Sequence, residues 1–133
     1  MSFLQNSVLP FLGRLLMSYI FLMSGVGKLM SAAATTGYIA SKGLPMPMVA
    51  FVLAVILEIG GGLLLLLGLF TRWVAAVLAV FCLVTAYLFH GFADLDSMIQ
   101  SMKNIAMAGG FLYVLAHGAG GISLDTVMFR RRA

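Results

Sequence analysis

The chain has 133 residues, of which 62% are hydrophobic and only 9% are charged, whereas soluble domains carry about 25% charged residues. With a mean hydropathy of +1.11, this composition excludes a soluble globular protein and predicts a single membrane domain over residues 1–133. The net charge of +4 does not indicate nucleic-acid binding, because the basic residues lie at the ends of apolar runs, where membrane orientation explains them. A single cysteine, Cys82, excludes an intramolecular disulfide and a dithiol redox centre.

Four apolar segments are long enough to cross a bilayer as helices, which takes ~20 residues. They predict helices over residues 8–30, 47–70, 72–90 and 103–121. The first segment has no early positive charge and is too long for a signal peptide, so we expect it to be retained as a span. The short turn at residues 70–72 makes the second and third helices antiparallel neighbours. The expected fold is an all-α membrane protein with a four-transmembrane-helix antiparallel bundle.

Charge at the helix ends predicts the orientation. Four crossings put both termini on one side of the membrane. That side carries Arg14, Arg72, Arg130, Arg131 and Arg132, and the opposite side carries Lys28, Lys42 and Lys103. Because Lys and Arg are enriched in cytoplasmic loops, the excess of arginine predicts cytoplasmic termini.

Glu58 is the only charged residue in the apolar run from residue 48 to residue 70, and it lies near the middle of that run. A carboxylate at this depth is costly unless it is paired, neutral or hydrated, which makes it a candidate functional residue.

Small and polar residues recur every three or four positions in each predicted helix, which places them on one helical face. These faces comprise Arg14, Ser18, Phe21, Gly25 and Lys28; Ala50, Ala54, Glu58, Gly61 and Leu65; Arg72, Ala76, Ala79, Leu83, Ala86 and His90; and Lys103, Ala106, Gly110, Tyr113 and His117. Since lipid is apolar, such faces are expected to point into the bundle.

Arg14 is the partner predicted for Glu58. At a rise of ~1.5 Å per residue, Arg14 lies ~9 Å and Glu58 ~18 Å from the cytoplasmic side, a gap that two long side chains and a tilted helix can close. An Arg14–Glu58 pair inside the bundle would keep Glu58 ionised.

Lys28, His90, Lys103 and Asn104 map to the opposite end of the bundle, where one interpretation is a polar vestibule that they form with Asp94 and Asp96 of the adjoining loop. The alternative is an interfacial ring of snorkelling lysines and solvated loop acids. No metal site is expected, because His90 and His117 lie near opposite faces of the membrane and cannot share an ion.

Four groups of short segments, taken in their order along the chain, form a recognisable pattern. They are GRLL at 13–16 with SGVGKL at 24–29, LEIGGG at 57–62 with GLFTR at 68–72, TAYLFH at 85–90, and KNIAMAGG at 103–110. Over residues 8–126 the chain resembles the DoxX family. The resemblance implies a small bacterial inner-membrane protein with four helices. Some members are associated with thiosulfate:quinone oxidoreduction, and others with membrane complexes that respond to oxidative or thiol stress.

Three functions stay open at this point. The first is a redox-associated subunit that binds a quinone or similar small molecule in a polar cavity, with Arg14, Glu58, His90, Lys103 and Asn104 as the binding residues and no catalytic set identified. The second is a non-enzymatic assembly or stress-response protein whose buried polar network is structural, and the third is a small transporter. The lipid bilayer is the expected environment. A redox or membrane protein, or a second copy of the chain, is the expected partner.

Overall fold

The structure is a computed structural model that describes residues 2–129, so the predicted basic group at 130–132 lies outside the described residues. Within residues 2–129 the chain is mostly helical and contains no strand. Its helices are α1 (Leu4–Met30), α2 (Ala32–Ser41), α3 (Pro47–Leu67), α4 (Thr71–His90), α5 (Leu95–His117) and α6 (Leu124–Phe129). The predicted all-α class is confirmed.

Helices α1, α3 and α4 are long and apolar enough to cross a membrane, and they correspond to three of the four predicted spans. Helix α5 has 23 residues but is not among these candidates, because polar and charged residues occupy much of its first three turns. They are Asp96, Ser97, Gln100, Ser101, Lys103 and Asn104. The fourth crossing therefore stays a prediction.

Capping and turn residues displace several predicted boundaries. Helix α5 begins at Leu95 rather than at residue 103, because the Asp94 carboxylate accepts a hydrogen bond from the Ser97 N–H at 2.7 Å and caps the helix. It ends at His117 rather than at residue 121, since Gly118 has a positive φ of 80°. Helix α3 ends at Leu67 for the same kind of reason, because Gly68 has a φ of 71°.

Two short helices were not predicted. Helix α2 lies between α1 and α3 and packs beside α3. Helix α6 follows α5 and brings Asp125 to the start of α4. The Asp125 carboxylate accepts hydrogen bonds from the Phe70 and Thr71 N–H groups at 2.7 and 2.9 Å. Because the first N–H groups of a helix have no partner within it, Asp125 acts as a cap donated from a distant part of the chain.

The core lies between α1, α3, α4 and α5. Phe21 packs against Phe111 with ring centroids 5.5 Å apart, and Leu65, Leu78 and Cys82 are buried beside them. Cys82 is a free thiol that is 2% exposed, as expected for a cysteine that serves as a packing residue.

The predicted inward faces are confirmed for some helices and wrong for others. In α1 the residues Arg14, Ser18, Phe21 and Gly25 are buried, and in α3 so are Glu58 and Leu65. In α4 the buried face is rotated by about one residue from the predicted face. It comprises Thr71, Val74, Ala75, Leu78, Ala79, Cys82 and Ala86. In α5 the prediction was wrong, because the buried face is Ser101, Asn104, Ala108 and Phe111, whereas Tyr113 and His117 are exposed.

Candidate functional site

Glu58 is buried inside the bundle, with 5% of its surface exposed, which confirms its predicted position. Its partner is Lys28 of α1, whose Nζ lies 2.9 Å from Glu58 Oε1. Lys28 Nζ also donates to Ser24 Oγ at 2.9 Å, and that hydroxyl in turn donates to Oε1 at 3.3 Å. Two turns of α1 thus supply both groups that hold one oxygen of the carboxylate.

Close packing of α1 on α3 makes this pair possible. A side chain at Gly25 would have no room, because a Cβ atom there would lie 2.5 Å from Ile59 Cγ1 and 3.2 Å from Glu58 Cβ. Glycine at this position therefore lets the two backbones approach at the depth of the carboxylate, a role typical of small residues in membrane helices.

The predicted Arg14–Glu58 pair is wrong. Gly25, which contacts Glu58, is eleven residues from Arg14, a separation of ~16 Å along α1 at ~1.5 Å per residue. The Arg14 side chain is 2% exposed, and backbone carbonyls satisfy it. Its guanidinium donates to Ala119 O at 3.0 Å, to Leu65 O at 2.9 Å, to Leu66 O at 3.0 Å and to Ile122 O. Arg14 ties the end of α3 to the segment after α5.

A cavity of about 750 Å³ lies at the Lys28 end of the bundle. Its wall is mostly apolar, with side chains such as Phe21, Leu53, Leu57, Phe81 and Leu88. The polar groups on it are Ser24, Lys28, Thr35, Tyr38, Glu58, Thr85, His90, Gln100, Lys103 and Asn104.

Four of the five predicted site residues thus line one cavity: Glu58, His90, Lys103 and Asn104. Arg14 does not, and it lies instead beside a groove near the start of α1 and the end of α5. The sequence analysis missed the direct contact between Lys28 and Glu58. Its signal was present, because Lys28 follows Gly25 by three residues on the same face of α1.

Hydrogen bonds fix several polar groups around this cavity. Asn104 Nδ2 donates to Thr85 Oγ1 at 3.0 Å, which joins α5 to α4. The Tyr38 hydroxyl donates to Phe89 O at 2.9 Å, and the two rings stack with centroids 5.9 Å apart. Helix α2 is thereby fastened to the end of α4, beside His90.

One oxygen of the Glu58 carboxylate is left without a partner. Oε2 is buried, and it has no hydrogen bond to any group in the part of the chain that the structure describes. A buried acceptor in this state costs about 1–3 kcal/mol, and more when it is charged. Such an atom calls for an explanation, and an unseen water or ligand is a common one.

Two wide helical turns accompany these residues. Glu58 lies in a π-helical turn at Ile56–Gly60, and His90 ends another at Ala86–His90. Single π turns inside α-helices are rare and occur frequently at functional sites. Two of the three π turns in residues 2–129 therefore carry an ionisable residue of the cavity, and the third, at Leu4–Val8, lies at the other end of the bundle.

Chemically, the cavity offers a paired ammonium and carboxylate within an apolar wall and a histidine on the same wall. This set can orient a small molecule through hydrogen bonds and can exchange protons with it. Within residues 2–129, no group of three His, Cys, Asp or Glu side chains is placed to hold a metal ion.

Similarity to known proteins points to one family. The DoxX family model matches residues 9–91. The chain is 38% identical over 124 residues to "Inner membrane protein YphA" of Escherichia coli K12, with 89% of each protein covered. It is 39% identical over 119 residues to "Inner membrane protein YqjF" of the same organism, with 89% of this chain and 90% of the relative covered.

An uncharacterized protein of Haemophilus influenzae is 34% identical over 123 residues, with 89% of each covered. No solved structure is detectably similar. The matched segment contains most of α1 and all of α3 and α4, the helices of residues 2–129 that are able to cross a membrane. The chain therefore belongs to the DoxX family and is an integral protein of the inner membrane.

Proposed function

We propose that this protein binds a small ring compound with oxygen substituents, a quinone or a molecule of similar chemistry, in the cavity beside Glu58. In this role it would serve as a redox-associated subunit of the membrane. The observation that carries the proposal is Glu58 itself. It is a buried carboxylate on the wall of an apolar cavity, with one oxygen held by Lys28 and the other without a partner among residues 2–129.

The size and lining of the cavity fit such a ligand. Pockets for small molecules measure about 300–1,000 Å³ and combine an apolar wall with a few placed polar groups. The cavity of about 750 Å³ lies within that range. Its aromatic and aliphatic wall suits a ring with a lipophilic substituent.

Each polar residue has a distinct role in this proposal. Lys28 and Glu58 meet an oxygen substituent of the ring within the membrane. His90 and Lys103, which lie at the end of α4 and in the first half of α5, connect the cavity to the aqueous side. Asn104 is a positioning residue, because its amide is held by Thr85. Arg14 is left out of the site, since its guanidinium is committed to backbone carbonyls at the other end of the bundle.

A structural role is the second candidate. Its supporting observation is that the buried Arg14 network joins three segments of the chain and needs no ligand. If the Lys28–Glu58 pair has the same purpose, the protein is a non-enzymatic assembly or stress-response protein. In that case Glu58→Gln lowers stability and abundance without changing any ligand content.

The proposal also includes the architecture of the whole chain. Helix α5 is the fourth crossing of a single antiparallel bundle that extends over residues 1–133, and both termini lie in the cytoplasm. A compartment-specific reporter fused after residue 70 or after residue 133 would then report the cytoplasm, and one fused after residue 92 the opposite side. A reporter after residue 133 that reports the opposite side would refute the fourth crossing.

Mass spectrometry of the intact protein, extracted with native lipids, tests ligand binding directly. We expect a stoichiometric small molecule in the wild type, and its loss in Ala54→Phe, which fills the cavity wall. Val80→Phe is the matched control, because Val80 is 61% exposed on the outer surface of α4. Wild-type protein that carries no small molecule and binds no added decylubiquinone or decylubiquinol would refute the proposal.

A further inference from the structure

We infer that the cavity selects the reduced, hydroxyl-bearing form of its ring ligand over the oxidised, carbonyl-bearing form. The inference rests on the proposed function and specifies the chemistry of the same site. It starts from the unused hydrogen-bonding capacity of Lys28 and Glu58.

Because Glu58 is paired with the Lys28 ammonium, we take it as ionised, so that it can only accept hydrogen bonds. Its Oε1 atom receives a hydrogen bond from an ammonium at 2.9 Å, and an ammonium in apolar surroundings requires its counter-charge beside it. An ionised carboxylate has about four acceptor positions. Lys28 and Ser24 use two of them, both on Oε1. The remaining capacity lies on Oε2, so any group that meets it must donate.

Lys28 complements this requirement. Its ammonium has three N–H donors, of which one goes to Glu58 Oε1 and one to Ser24 Oγ. One donor is left for a ligand. A ligand hydroxyl can accept from Lys28 and donate to Glu58 at the same time. A carbonyl oxygen can only accept, and it brings its lone pairs towards a second acceptor.

The carboxylate needs only a local adjustment to meet the ligand. Less than 1 Å² of Oε2 is accessible in the present side-chain conformation, although Glu58 lines the cavity. The terminal torsion of a glutamate side chain is soft, so rotation of the carboxylate costs little. Whichever oxygen is presented, an ionised Glu58 has no proton to donate to a carbonyl.

The preference follows from one hydrogen bond to a charged acceptor. Such a bond corresponds to roughly a 10- to 100-fold difference in affinity. Selective binding of the reduced form also raises the midpoint potential of the bound ring, by about 30 mV for each tenfold preference in a two-electron couple.

The test compares three probes on the purified full-length protein in lipid nanodiscs. They are decylubiquinol under anaerobic conditions, decylubiquinone, and the bis-methyl ether of decylubiquinol, which accepts hydrogen bonds but cannot donate them. Calorimetry is expected to show decylubiquinol binding at least tenfold more tightly than either of the others. A redox titration of the bound ring is expected to show the matching rise in potential.

Glu58→Gln supplies the sharper test. A glutamine that keeps its carbonyl oxygen towards Lys28 presents an N–H donor to the cavity, so the preference is expected to vanish or to reverse in favour of decylubiquinone. Thr71→Val, a buried substitution at the far end of the bundle, is expected to keep the wild-type preference.

The outcomes separate the inference from the proposed function. If no probe binds the wild type, the proposed function fails and the inference fails with it. If probes bind but the oxidised form binds as tightly or more tightly, the cavity is a ligand site and the inference alone is overturned. A variant that does not fold leaves the wild-type comparison of the three probes decisive.

Discussion

Replacing Arg14 with methionine should destabilise the protein strongly, although Arg14 lies outside the proposed ligand site. Methionine keeps most of the apolar stem and removes four hydrogen bonds to carbonyl oxygens. Two of the lost bonds, to Leu65 O and to Ala119 O, are fully buried. The other two are partly exposed, so water can replace the guanidinium there.

The expected loss can be worked from the buried acceptors. Leu65 O keeps the Gly68 N–H as a donor at 3.2 Å, so Ala119 O is the buried carbonyl that loses its donor with no replacement among residues 2–129. A buried carbonyl without a donor costs about 1–3 kcal/mol. Removal of the guanidinium also removes the free-energy cost of burying it, which offsets part of the loss from the remaining bonds. We expect the free energy of unfolding to fall by about 1–3 kcal/mol.

Denaturant titration in detergent micelles measures this change. Arg14→Lys should recover only part of the stability, because one ammonium cannot reach all the carbonyls that the guanidinium contacts on two separate segments. Arg72→Met is the matched control, since Arg72 is an exposed arginine near the same end of the bundle, and it should stay within about 0.5 kcal/mol of the wild type. Equal stability of Arg14→Met and the control would refute the assignment of Arg14 as a structural clamp.

Three further substitutions test other parts of the fold. Gly25→Ala should lower the free energy of unfolding by about 1–3 kcal/mol and weaken ligand binding, because its Cβ would lie 2.5 Å from Ile59 Cγ1. Gly27→Ala is the control and should be neutral, because a Cβ there meets nothing within 4 Å. Equal effects of the two substitutions in a thermal unfolding assay would contradict the packing argument. Thr71→Val should raise the unfolding free energy by about 1 kcal/mol, because the buried Thr71 hydroxyl has no partner among residues 2–129; a loss of stability would reveal a missed hydrogen bond. Asp94 accepts a hydrogen bond from the N–H three residues on, which lowers the pKa of its carboxyl. The stabilisation of α5 by this cap is therefore fully present at pH values above the ordinary pKa of aspartate, and it is lost as the pH falls through the lowered pKa. Asp94→Asn should abolish this contribution to the pH dependence of unfolding.

Hydropathy was sufficient to place Glu58 in the interior of the bundle, because a carboxylate in the middle of an apolar membrane helix is too costly to face lipid. Its partner was predicted wrongly for a physical reason. Arg14 finds acceptors in backbone carbonyls at the end of α3 and after α5, and a sequence does not reveal where such carbonyls converge. Lys28 was placed on the inward face of the first helix but was not paired with Glu58, although it lies one turn beyond Gly25, the residue that contacts Glu58.

The spacing of small and polar residues in α5 did not reveal which face of this helix is buried. Tyr113 and His117 follow such a stripe but are exposed, whereas Phe111 is completely buried. Aromatic and polar residues are favoured both in a membrane protein's interior and at the lipid interface, so residue type alone does not decide the face. The π turns at Glu58 and His90 had no sequence signal that was recognised.

The two buried charges differ in how much of their hydrogen-bonding capacity the protein uses. Arg14 makes four hydrogen bonds of the five that a guanidinium can donate, and all are to the chain itself. Among residues 2–129, Glu58 has one oxygen bound and one buried without a partner. A group whose capacity is met internally can only stabilise the fold, whereas a group with capacity left over gains when something else binds. The unmet capacity of a charged group therefore lies on the wall of the cavity at the Lys28 end, which is why we propose ligand binding there and a stabilising role for Arg14.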